Sequence, residues 1–285
     1  MSLPPSSRRA LALLSAASVL AAAACVDPSS DTAEPVGQTY ESFEDWKAHL
    51  PRDPGDGAYL VDGHIGAHDD ATLKELFAER EQPGALIVNR RDDGADDRWS
   101  DAMKMNLGYC VSLRFGEDHD AVVAAMDSAG SDWARAAAVR FIYHGEEDAD
   151  CTAENDRVLF EVVPAHGTTY NARSFFPSLA RREGYHRIFI DLENVARAAP
   201  KSLTGVLRHE LGHVLGFRHE HVRPQGNGAC TEGPDWRALT RYDPESVMHY
   251  NAYSACAGAN GGDYVLTSLD KAGAAALYGP PGGGS

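Results

Sequence analysis

Positive charge is scarce in this chain. Its 285 residues carry 26 Lys and Arg against 42 Asp and Glu, a formal charge of −16. A surface that acidic repels a phosphate backbone, so no nucleic acid is expected as a partner. Cysteine is scarce too: there are five, with no Cys-x-x-Cys spacing, which argues against a thiolate metal site. No apolar run is long enough for a comfortable membrane span, the nearest being Ala10–Ala24. No internal repeat is visible. What is present is an ordinary globular composition, 43% hydrophobic, in a length that suits one good-sized domain with a smaller segment attached.

The first residues read as an export signal. Arg8 and Arg9 precede the Ala-rich run, and small residues lead up to Cys25. The stretch Leu20–Cys25 resembles a bacterial lipobox, so Cys25 is the lipidation candidate and a lipid anchor through it the expectation. A secreted or cell-envelope location follows, as a bacterial lipoprotein or, alternatively, by plain secretion. Without residues 1–24, which hold two arginines and no acid, 24 basic residues face 42 acidic ones and the formal charge is −18. Four cysteines then remain, Cys110, Cys151, Cys230 and Cys256, an even number that suggests two disulfides in an exported chain. The local pairings Cys110–Cys151 and Cys230–Cys256 are favoured among three connectivities.

Composition divides the rest. Residues 25–39 are a Pro/Ser/Asp/Thr-rich tether. Residues 40–97 are charged with scattered apolar positions and read as a prosegment or an N-terminal lobe. Residues 98–279 carry the compact domain, and 280–285 a disordered Gly/Pro tail. Within that domain, 109–115 alternates like a strand, 120–138 has helical spacing, and 139–143, 158–163, 170–176 and 187–191 read as further strands. A helix is expected from Ser202 to Gly216. The fold class is therefore α/β (α+β), a mixed sheet with a helix that carries the chemistry.

That helix holds His209-Glu210-Leu211-Gly212-His213-Val214-Leu215-Gly216-Phe217-Arg218-His219. His209 and His213, four apart, lie one turn apart on one face and can reach a single Zn²⁺. Glu210 is offset by roughly 100°, placed to reach a water rather than the metal. Gly216 permits the sharp turn that brings His219 round as third ligand. Three histidines with one open position form a catalytic pattern, so one catalytic zinc ion is the expected cofactor. Five fixed positions arise by accident in this length with a chance on the order of 10⁻⁴.

His-Glu-x-x-His-x-x-Gly-x-x-His followed by a methionine turn is the metzincin signature. Here Met248, within Ser246-Val247-Met248-His249-Tyr250, lies 29 positions after His219. His219-Glu220-His221 and Ser-x-Met-His-Tyr resemble the astacins in particular. The resemblance implies a metzincin-type zincin with a twisted mixed sheet, an active-site helix and a C-terminal Met-turn subdomain. It implies that Met248 is a hydrophobic floor under the metal and that Tyr250 can bind at rest and then stabilise the oxyanion. It also implies that Glu220 pairs with a matured N-terminus, a local salt bridge being the alternative. Leu86–Arg90, Tyr109–Ser112 and Ala172–Pro177 resemble bacterial secreted dual-action metallopeptidases. Astacin prosegments block the metal with an aspartate; the nearest stretch here, Val61–Ile65, offers Asp62 or His64, or is a plain polar turn. The expected activity is a zinc metalloendopeptidase acting as a monomer on a polypeptide substrate, with Glu210 as general base. A zinc amidase acting on cell-wall peptide and a non-catalytic surface binding protein are the alternatives.

Overall fold

The computed structural model describes residues 42–61, 65–78, 87–180, 182, 184–223, 236–250 and 262–282. The expected signal and tether, Cys25, Asp62, His64, Cys230, Cys256 and the end of the tail lie outside them.

The described chain begins with α1 (Phe43–His49), whose start is set by Ser42 accepting from the Asp45 amide at 3.2 Å. Glu44 and Asp45 in its first turn and Lys47 and His49 in its last complement the helix dipole. A small hairpin, β1 (Tyr59–Val61) and β2 (Ile65–Ala67), follows, then α2 (Asp70–Ala78). Trp46 is buried beside Phe43 and Phe77, at 6.2 and 5.3 Å between ring centroids. These rings join the main core rather than forming one of their own. Trp46, Leu50, Val61, Ile65 and Leu73 thus find their burial against the larger domain.

Residues 87–97 are tied into that domain by backbone hydrogen bonds. Strand β3 (Ile87–Asn89) pairs antiparallel with β9 (Trp236–Ala238), and the Arg218 amide donates to Ile87. The main sheet has five strands in the order β5-β4-β6-β8-β7. Four are parallel: β4 (Leu107–Val111), β5 (Phe141–Tyr143), β6 (Phe160–Pro164) and β8 (Arg187–Ile190). The edge strand β7 (Ala172–Arg173) runs antiparallel to β8. Helix α3 (His119–Ala136) connects β4 to β5, and α4 (Leu192–Arg197) follows β8. Helix α5 (Leu203–Val214) packs on α3, and α6 (Ser268–Tyr278) closes the domain.

All five strands are shorter than the sequence reading, β7 most of all. β4 stops at Val111 because Ser112 caps a 3-10 turn, Leu113–Asp118, accepting from the Arg114 amide. β7 pairs with β8 only at Ala172 and Arg173, and Ser174 then bridges to Ile65 instead. The expected disulfide Cys110–Cys151 is present, joining β4 to the loop before β6 across a Cα–Cα distance of 5.7 Å.

Candidate metal centre

Helix α5 is fixed at both ends before any metal is considered. Ser202 accepts from the Gly205 amide at 3.0 Å and donates to Asp263. The orphan carbonyls at the other end are taken up by side chains: Trp99 Nε1 donates to Val214 at 2.8 Å and the Tyr278 hydroxyl to Leu215 at 2.7 Å. The chain then reverses at Gly216, with φ of +90°. A Cβ there would stand 2.0 Å from the Asp97 carbonyl oxygen, so no other residue fits. The reversal carries His219 back to the helix.

His209, His213 and His219 are all buried, and one ring nitrogen of each lies within 4.8 Å of the others. His209 Nδ1 is 2.8 Å from the Val247 carbonyl and His213 Nδ1 is 2.8 Å from the Phe217 carbonyl. A carbonyl only accepts, so each Nδ1 carries the proton and each Nε2 presents a lone pair. Those lone pairs converge: His209 Nε2 is 3.2 Å from both His213 Nε2 and His219 Nε2. Ligand nitrogens about 2.0–2.1 Å from a tetrahedral zinc sit roughly 3.3 Å apart. The donor set fits zinc, and the carbonyls behind two of the rings supply the orienting contacts such ligands need.

The methionine turn is built against this centre. A Cβ on Gly212 would stand 2.3 Å from Met248 Sδ, so the helix is bare where the methionine touches it. Buried Asp270 holds the turn, accepting from Ser246 Oγ at 2.5 Å and the Val247 amide at 2.8 Å. The Val247 carbonyl in turn receives His209 Nδ1–H. An unbroken relay thus runs from α6 to the first histidine. The Tyr250 ring lies 4.3 Å from the His219 ring and 4.4 Å from His221. Tyr264, with φ of +39°, stacks on His209 at 4.8 Å.

Glu210 is buried, and its carboxylate accepts from Ser174 Oγ at 2.6 Å. Burial pushes its carboxyl up to about 8, against the opposing effects of Ser174 and the Arg173 charge. Glu220 is fully buried in an ion pair with Arg223 at 2.5 Å and accepts from the Asp243 amide at 2.8 Å. Among the described residues its charged partner is the local Arg223.

The N-terminal segment reaches the same region. Ile65 forms a parallel bridge with Ser174, the residue that holds Glu210. Sequence reading missed Ser174, Asp270, Gly212 and Tyr264. Of these only Asp270 left a recognisable signal, the Thr267-x-x-Asp270 capping box that starts α6.

Comparison with known proteins gives limited matches. No family model matches the chain. It is 38% identical over 64 residues to Tolloid-like protein 1 of Homo sapiens, and equally to that of Mus musculus, covering 16% of this chain and 6% of the relative. The chain thus matches only a small part of the length of these relatives. Among solved structures it is similar to High choriolytic enzyme 1, a hatching enzyme zinc-protease from Oryzias latipes (medaka fish), at 17% identity and a TM-score of 0.40. That match covers 64% of this chain and 97% of the other.

Proposed function

We propose that this chain is a zinc-dependent metalloendopeptidase, astacin-like within the metzincins, that hydrolyses extracellular or envelope proteins. The observation that carries the reading is the convergence of three buried imidazole Nε2 atoms beside the carboxylate of Glu210. His209, His213 and His219 would hold the ion. When bound, zinc supplies Lewis acidity towards the scissile carbonyl and brings the pKa of water towards about 7.

The chain's own groups do the rest. Glu210 accepts the proton of the attacking water and delivers it to the departing amine. Ser174 donates to its Oε2 and keeps the carboxylate aimed. A cation nearby favours the ionised form, offsetting the burial that otherwise holds this carboxyl up. Tyr250, beside His219, donates to the oxyanion. Met248 closes the floor against Gly212. The finer likeness to bacterial secreted dual-action metallopeptidases rests on the sequence stretches given above.

Export, with lipidation at Cys25, belongs to the same proposal, and the Cys110–Cys151 bond supports an oxidising compartment. So does latency. An extended substrate would add to the edge beside β7, and the bridge of Ile65 to Ser174 at that edge supports the reading.

The test compares wild type with Glu210→Ala on casein and on purified cell-wall fragments, with zinc content measured alongside. The variant is expected to retain zinc and lose about 10²–10⁴-fold in turnover. Full activity in the variant contradicts the assignment. Cleavage confined to wall fragments would favour the amidase alternative, and bound zinc with no hydrolysis the binding protein.

A further inference from the structure

One hydrogen bond does not fix an imidazole. The outer torsion of a histidine side chain is broad, and a carbonyl accepts over a wide range of directions. The bond from His209 Nδ1 to Val247 therefore sets which nitrogen carries the proton but leaves the ring able to rock. Tyr264 lies against that ring, 4.8 Å away between centroids with the planes 26° apart. The other rings nearly parallel to His209 are His219 at 5.2 Å and Tyr250 at 6.2 Å, and both already belong to the centre.

Tyr264 stands where a tyrosine is costly. Its φ of +39° makes it the one non-glycine residue in the left-handed region among the described residues. A bulky side chain is rare there, and such backbone persists only where the surroundings over-determine it. Here they do. The preceding Asp263 accepts from the Ser202 amide at 2.6 Å and the Ser202 hydroxyl at 2.8 Å, where α5 begins. The Tyr264 carbonyl accepts from Arg208 Nη1 at 2.6 Å, one residue before His209. Between these two ties the chain has a single residue in which to turn. Glycine would make the turn without strain. A tyrosine is accounted for by what its ring does.

That ring is itself held. It is buried, and Lys201 Nζ lies 4.5 Å from its centroid, a cation–π contact. Lys201 immediately precedes the Ser202 cap, so the cation comes from the same helix end that Asp263 closes.

We propose that Tyr264 is a positioning residue whose strained backbone lays the phenol ring on the His209 imidazole. The stack fixes the plane of that ring, so that its Nε2 stays turned towards those of His213 and His219. The proposal rests on the reading of the three histidines as zinc ligands.

The test uses the full chain, with zinc affinity measured by chelator competition and ligand geometry by the visible absorption of the cobalt-loaded protein. Tyr264→Phe keeps the flat face and should match wild type in both. Tyr264→Leu fills the space without that face, and should bind zinc about 10–100-fold more weakly with an altered cobalt spectrum. Should Tyr264→Leu not fold, Tyr264→Gly, which relieves the backbone, carries the same metal prediction. Urea unfolding of the metal-free protein reads the strain: Tyr264→Gly should be more stable than Tyr264→Ala, the reverse of the usual order. Wild-type zinc affinity in Tyr264→Leu or Tyr264→Gly, equal weakening in Tyr264→Phe, or Tyr264→Ala as stable as Tyr264→Gly would each overturn the proposal. Zinc bound by wild type and equally by Tyr264→Leu removes Tyr264 alone, whereas a wild type that takes up no zinc removes the ligand reading and the proposal with it.

Discussion

The two sides of the edge strand are held by different physics. Below β7, the α5 side is fixed by close packing and directed hydrogen bonds: glycines at 212 and 216 where neighbours touch the backbone, tryptophan and tyrosine on the last carbonyls, and Asp270 behind the methionine turn. Above it, the N-terminal segment shares its apolar core with the domain through Trp46, Ile65 and Leu73, and adds charged contacts from Arg173, two aspartates and a half-buried histidine. Steric and hydrogen-bonded constraints tolerate little change in geometry, whereas charge pairs respond to pH, salt and competing ligands. The first arrangement suits a rigid centre, and the charged contacts of the second answer to pH and salt.

Breaking the rigid side should have the largest effect. Gly216→Ala forces a β-carbon onto the Asp97 carbonyl at positive φ, and should cost about 3 kcal/mol or more, read by urea unfolding. Asp270→Ala leaves the Ser246 hydroxyl and the Val247 and Thr267 amides without their acceptor, and should cost about 2–3 kcal/mol. Because Val247 orients His209, the same variant should also weaken zinc binding by about tenfold or more. Normal zinc affinity in Asp270→Ala would show that the relay does not matter.

On the N-terminal side, Arg173→Leu should leave the domain folded while exposing residues 42–78 to limited proteolysis at least tenfold faster. Equal protection of the segment would mean that apolar contacts of Trp46 and Ile65 suffice to hold it.

The smallest expected effect is that of mild acid. His68 lies 3.4 Å from Asp56, its ring against Tyr185, with Arg173 and Arg187 near. Burial, with those two arginines, outweighs Asp56 and Asp53 and lowers its pKa below the ordinary 6.5. Burial raises Asp56, but Arg173 and the Ala58 amide outweigh it, so that carboxyl titrates below its ordinary 3.8. Both groups are depressed in the folded form, so each contributes stability that is complete above its ordinary value and is lost as pH falls towards the folded one. Exchange over 59–67 should therefore rise from about pH 6.5 downward through His68, and again below about pH 4 through Asp56. His68→Gln should remove the first step alone.

Much of the centre was legible in the sequence because its geometry is local. Two histidines four apart on a helix, a glycine that must turn and a histidine three residues on are positions that spacing alone relates. The Cys110–Cys151 pairing followed from proximity along the chain. What spacing could not reveal was contact across long separations. Ser174 is one polar residue among many until the sheet edge brings it to Glu210, and Asp270 is a helix cap until α6 packs behind Ser246. The alternation of 109–115 suggested a longer strand than exists, since Ser112 takes the chain out of the ladder into a capped turn. The segment 40–97 read as lacking a core because its described apolar residues, Trp46, Ile65, Leu73 and Val88 among them, bury in a core shared with the rest of the chain.

The most direct test of the metal centre is zinc stoichiometry in the purified full chain, with wild type, Glu210→Ala and His213→Ala compared under the same dialysis. One equivalent retained in the first two and lost in the third is the expected result. Absence of zinc from wild type after reconstitution, or retention of a full equivalent by His213→Ala, would contradict it.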